Sequence, residues 1–211
     1  HLSVAISVFL LSACTTTEII RSNSKPANQT QLLTPADLMI DIGILPLDTN
    51  IPDSEDEIEK QLIIPDVRRA ESQYIAYHLK DTLEQTGNWG AVRVTPQTSA
   101  AVDVTVSGKI IQSDGERLKI RLSAIDSTGR VWVNRLYDDQ ASKYSYDTVL
   151  EDPFQDSYNA FANDLLLYRE ALNDDNLREV RRVTSLKYAK SLAPDSFSGC
   201  LLYTTPSPRD S

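Results

Sequence analysis

The chain has 211 residues, 41% of them hydrophobic, which suits one or two globular domains with an ordinary core. Its formal net charge of −9 argues against nucleic acid as a partner, which needs a basic footprint, and against polybasic attraction to anionic lipid.

Leu2 to Leu11 reads LSVAISVFLL. This run is too short to span a bilayer, which takes about 20 apolar residues, and it fits the apolar region of a secretory signal peptide. Leu11-Ser12-Ala13-Cys14 follows and resembles the bacterial lipobox, in which the cysteine is lipidated and becomes the mature N-terminus. Thr15, where inner-membrane retention usually wants Asp, implies by the same resemblance the outer membrane, facing the periplasm. The basic segment of such a signal is expected upstream of His1. With Cys14 carrying lipid, Cys200 is the other cysteine, so no intrachain disulfide is expected.

From Thr15 to Pro35 the sequence is polar and reads as a flexible tether. Leu38 to Leu47 predicts the first strand, with Ile40, Ile42 and Ile44 on one face and Pro46 at its end. The acidic stretch Asp48–Lys60 lacks the glycine that a hard-cation loop needs and reads as a solvated acidic loop. Pro65 to Pro96 is the organising segment. Arg68, Ser72, Ile75, Ala76, Leu79 and Leu83 form one helical stripe, Pro65 and Asp66 mark its start and Gly87 its stop. Ala91 to Thr95 alternates as a short strand.

Three further strands are expected at Val102–Ile111, Arg117–Ile125 and Arg130–Tyr137. Turns at Asp114-Gly115 and Asp126-Ser127-Thr128-Gly129 join them into a meander. In the last strand, Val131 and Val133 should oppose Trp132 and Asn134. Phe154, Tyr158, Phe161, Ala162, Leu165, Tyr168 and Leu172 mark an amphipathic helix. The Asn173–Asn176 cluster caps another, carrying Leu177, Val180, Val183, Leu186 and Ala189 and ended by Pro194. Cys200 to Ser211 breaks the helical pattern and is expected to be disordered or foreign to the fold, with native sequence continuing past Gly199.

No catalytic set is legible. Of the two histidines, His1 falls in the leader and His78 lies between aromatic neighbours on the central helix. Metal-site, Walker and G-x-S-x-G patterns do not occur, so no metal, cofactor or nucleotide is expected. Acid pairs at Asp138-Asp139, Glu151-Asp152 and Asp174-Asp175 keep a carboxylate-pair hydrolase of the cell wall as the alternative function. The basic cluster Arg178, Arg181 and Arg182 reads either as a docking surface for an anionic partner or as a solvated helix paired to its own acids. Trp132 and Tyr137, with Trp89, Tyr144 and Tyr146, read either as a recognition surface or as core.

The blocks IGILPL at Ile42–Leu47, YIAYHLKDTLEQTGNWGAVRVTP at Tyr74–Pro96, VDVTVSGKI at Val102–Ile110 and RLSAIDSTGRVWVNRLY at Arg121–Tyr137 carry a family resemblance. Together they resemble the TolB amino-terminal domain, the LpoB-type activators of penicillin-binding proteins and the CsgG-type curli secretion lipoproteins, over about half of the chain. The resemblance implies a non-enzymatic lipoprotein that binds an envelope protein or assembles with itself.

The expected architecture is α+β: strand–helix–strand and a three-stranded antiparallel meander with a helix packed on it, followed by a helical hairpin. The expected divisions are a partial signal peptide (1–13), a lipidated cysteine and tether (14–36), an α/β sandwich domain (37–140), a helical region (141–199) and a tail (200–211).

Overall fold

The computed structural model describes residues 26–30, 34–141 and 152–196, and the backbone of 19–21 and 197–198. Cys14, Tyr144, Tyr146, Glu151 and the tail from Gly199 lie outside the described residues.

The fold is α+β. Strands β1 (Ile19–Arg21), β2 (Ile42–Ile44), β3 (Val92–Val94), β4 (Val104–Ser113), β5 (Arg117–Asp126) and β6 (Val131–Gln140) make one mixed sheet in the order β1-β6-β5-β4-β2-β3. The pairs β4–β5 and β5–β6 are antiparallel, the expected meander, while β2 runs parallel to both β3 and β4. The helices are α1 (Glu55–Lys60), α2 (Pro65–Thr86), α3 (Gln155–Ala171), α4 (Asp174–Leu192) and α5 (Pro194–Ser198).

The central helix α2 buries the stripe read from the sequence: Arg68, Ser72, Ile75, Ala76, Leu79 and Leu83. Gly87 closes it at φ 68°, a left-handed conformation that costs a Cβ-bearing residue strain. Its start differs from expectation. Ile64 occupies the N-cap position and Pro65 the first turn, while Asp66 accepts a bond from Arg69 instead of capping. The first strand is also shorter than expected, because Ala36–Leu38 forms a turn of 3-10 helix ahead of it.

The helix α3 lies against α2 and β6, and its Tyr158, Phe161, Leu165 and Leu166 share one core with Leu79, Leu83, Ile120 and Tyr137. Leu177 and Val180 of α4 belong to that same core. The helical region is thus part of the body of the domain. Asn173 caps α4 by accepting from the Asn176 amide.

The tether expectation is corrected over its described parts. The β1 backbone pairs in parallel with Leu136–Asp138 of β6. Asn28 donates its amide to Asn163, Thr30 donates to the Thr86 carbonyl, and Asn88 donates to the Asn28 carbonyl. Those bonds lay the segment along α3 and the end of α2.

Candidate functional site

Trp132 and Tyr137, which the sequence offers either as recognition residues or as core, are 5% and 1% exposed and belong to the core. The cause for Trp132 is a β-bulge. Ala124 pairs with Val133 but Ile125 pairs with Val131, so Trp132 is an extra residue on β6. The bulge lets Trp132 and Val133 both be buried, and Trp132 stacks on Tyr168 of α3 at 5.5 Å between ring centres. Its indole Nε1 donates to Asp126 Oδ2 at 2.8 Å. Asp126 Oδ1 meanwhile accepts from the Thr128 and Arg130 amides and from the Thr128 hydroxyl. The turn and its tryptophan are therefore one structural knot. Tyr137 donates its hydroxyl to Asp164 and meets Phe161 edge-on.

The three arginines of α4 are divided in use. Arg181 donates to the carbonyls of Ala36 and Met39, tying α4 to the segment that enters β2. Arg178 pairs with Asp37 at 3.0 Å, with Asp174 and Asp175 nearby, and that bond holds the Asp37 carboxyl below its ordinary range. Arg182 is exposed. As a docking surface the cluster is mostly spent, because two of its members are bonded to groups of their own chain, Arg178 to a carboxylate and Arg181 to two carbonyls.

The acid pairs are engaged as well. Asp138 accepts both guanidinium bonds of Arg117 at 2.6 Å, and Asp139 accepts the Ser157 and Gln140 amides. Asp152 accepts from the Tyr74 hydroxyl and the Phe154 amide, and lies 3.9 Å from His78 Nε2. Burial and the bond to Asp152 push the Tyr74 phenol up to about 12. Tyr158 stacks on His78 at 5.8 Å between ring centres, its phenol raised by burial. Of these groups His78 and Asp152 border a polar cleft of about 450 Å³, which Thr82, Gln155 and Asn159 also line. Thr82 accepts a bond from Gln155 there, and Gln155 also donates to Asn159, so these three are engaged with one another.

The sheet face away from α2 and α3 has a different character. In the register, Ser107 faces Ser123, Lys109 faces Arg121 and Gln112 faces Lys119. Lys109 approaches Asp48 at 3.8 Å, and Arg117 is neutralised by Asp138. Lys119 and Arg121 have no hydrogen-bond or ion-pair partner for their side chains among the described residues. At the lower end of this face, Leu45, Ala100, Val102 and Ile125 line a mostly apolar groove of about 620 Å³, with Lys187 of α4 at its rim. Sequence alternation gave the polar residues of these strands. It did not give the groove, which needs the loop before β4 and the end of α4 brought to the same place.

Among the described residues no helix is long and apolar enough to cross a membrane, and no group of histidine, cysteine and acid side chains is arranged to hold a metal ion. No family model, curated protein or solved structure matches the chain.

Proposed function

We propose that the chain is a bacterial outer-membrane lipoprotein, anchored through Cys14 and facing the periplasm, whose folded part acts by binding. Its partner is an envelope protein or a further copy of itself, in assembly, secretion or the activation of cell-wall synthesis, with no catalytic turnover. The L-S-A-C box after an apolar run supports the anchor, and the resemblance to envelope assembly and activator lipoproteins supports the class.

The observation that carries the binding reading is the uncovered sheet face. A solvated face of an antiparallel sheet is ordinarily polar. Here, however, Lys109 and Arg121 lie directly opposite each other, an arrangement that costs stability and that Asp48, 3.8 Å from Lys109, offsets only in part, beside an apolar groove open to solvent. An anionic partner with apolar side chains relieves both costs at once.

Reversal of Lys119 and Arg121 to Glu should weaken capture of an envelope partner and remove the salt sensitivity of that capture, since exposed charges are screened. Labelled palmitate should enter the wild type and not Cys14→Ser in a diderm host; equal labelling rejects the anchor. Release of soluble muropeptides from purified peptidoglycan, abolished by one Asp or Glu substitution, rejects the binding-only reading.

A further inference from the structure

We infer that the Glu55–Val67 arm of one copy docks in the groove and basic row on the open sheet face of a second copy. This rests on the binding reading above and names the partner.

The arm combines acid and apolar surface in a form the chain does not itself cover. Glu55, Asp56, Glu57 and Glu59 are on α1, which buries none of its residues. Beyond it the chain turns at Leu62, whose φ of 53° is left-handed; for a residue with a Cβ this stores strain. Ile63 anchors the turn, being buried and bonded through its amide to the Ile58 carbonyl. Its neighbours are turned the other way: Leu62 is 87% exposed, Ile64 64% and Val67 50%. A strained turn that holds its apolar side chains in water makes sense as a surface awaiting cover.

The sheet face offers the complement. Leu45, Val102 and Ile125 supply an apolar slot large enough for two or three side chains. Lys187 stands at one rim, and Lys109, Arg121 and Lys119 lie further along the same face. The acids of α1 precede Leu62 by a few residues, so an arm seated by Leu62 and Ile64 carries its negative charge to those cations. On a chain of net charge −9, Lys119 and Arg121 add positive charge without a side-chain partner, Lys109 meets only Asp48 at 3.8 Å, and the arm carries a dense block of acids. Arm and groove are different surfaces, so the contact is heterologous: each copy offers one of each, and copies add head to tail until a ring closes or a filament grows. The contact is small, which places association in the micromolar range.

The test is sedimentation velocity on the full chain carrying Cys14→Ser, so that lipid does not bring copies together. Any association through residues 2–11 is common to all samples. The wild-type surface should associate with concentration over a roughly hundredfold range in the micromolar regime. Leu62→Asp and Ile125→Asp should each remove that association, with circular dichroism and melting unchanged because both side chains are exposed. Mixed in equal amounts, the two variants retain one good groove and one good arm, so they should form dimers and grow no further. A benzophenone side chain at position 62 should crosslink light to heavy copies at the peptides containing Val102 or Ile125.

A wild type that stays monomeric, variants that associate like wild type, or a mixture that stays monomeric each overturns the inference. Capture of a different acidic, apolar envelope segment by a monomeric chain also overturns it, while the binding reading stands. Muropeptide release would overturn that reading whatever the association state.

Discussion

The Asp126–Trp132 knot gives the sharpest test of the fold. Asp126 is buried and accepts four hydrogen bonds, from the Thr128 amide at 2.8 Å, the Thr128 hydroxyl at 2.5 Å, the Arg130 amide at 3.0 Å and Trp132 Nε1 at 2.8 Å. Thr128 and Gly129 are exposed, so water can replace the carboxylate at the turn. It cannot do so at the indole, which is sealed beneath Tyr168. A hydrogen bond to a charged group contributes about 1.5–3 kcal/mol, and loss of a buried donor's partner costs about 1–3 kcal/mol. Asp126→Ala should therefore cost roughly 2–4 kcal/mol. Trp132→Phe keeps a ring on Tyr168 and removes only the donor and part of the ring's volume. In a double-mutant cycle the two changes should couple by about 1.5–3 kcal/mol. Urea unfolding followed by far-UV circular dichroism reads this without relying on the altered fluorophore, and an unchanged slope with denaturant checks that the unfolded state is the same. Coupling below about 0.5 kcal/mol, the ordinary error of additivity, would show that the carboxylate does not hold the indole.

Leu79 is fully buried between α2 and the sheet, so Leu79→Ala should cost about 2–5 kcal/mol in the same melts; under about 0.5 kcal/mol would remove it from the core. Gly90→Ala would bring a Cβ to 2.2 Å from Asp41 Oδ1, the atom that accepts the Ala91 amide. It should cost about 1–3 kcal/mol and expose the Ala91 amide to hydrogen exchange. Burial raises the Asp103 carboxyl above its ordinary range, against the bond it accepts from the Asp41 amide. The native state then holds more protons than the unfolded state between the ordinary Asp value, about 3.9, and the raised one, so stability from this group falls as pH rises through that window. Asp103→Asn should gain on the wild type as pH climbs from about 3 to 6 in stepwise urea melts, and a constant difference between the two would refute this.

The sequence made α2 and the meander legible because their burial is periodic and local. The stripe through Ile75, Leu79 and Leu83 repeats at helical spacing, and Gly87 is a stop whose reason is steric. Leu118, Ile120 and Leu122 alternate without interruption. Trp132 was not legible, since a bulge adds one residue and cancels the period-two rule that assigns faces. Arg181 was read beside Arg178 and Arg182 as a basic cluster because nothing in helix spacing reveals carbonyls of Ala36 and Met39, 145 and 142 residues away. The polar residues before Pro35 read as tether by composition, which carries no sign of the backbone groups they bond. The arm's apolar residues were hidden by a different effect: Leu62, Ile63 and Ile64 are consecutive, and only the left-handed turn at Leu62 separates the buried one from the exposed two.

If Cys14 is lipidated as proposed, the three-residue strand β1 bears on how far the domain could travel from the bilayer. A free leash from Cys14 to the first helical turn at Ala36 would reach roughly 80 Å at full extension, at about 3.3–3.6 Å per residue, enough to wander well clear of the lipid headgroups. With Ile19–Arg21 zipped onto β6, the slack from an anchored Cys14 falls to five residues, at most roughly 18 Å. Under the proposed anchor, the body would ride close to the membrane with its β6 flank nearest the lipid. Unzipping three residues of parallel pairing would pay out the rest of the leash, so with Cys14 anchored as proposed the altitude of the domain would be set by one short seam.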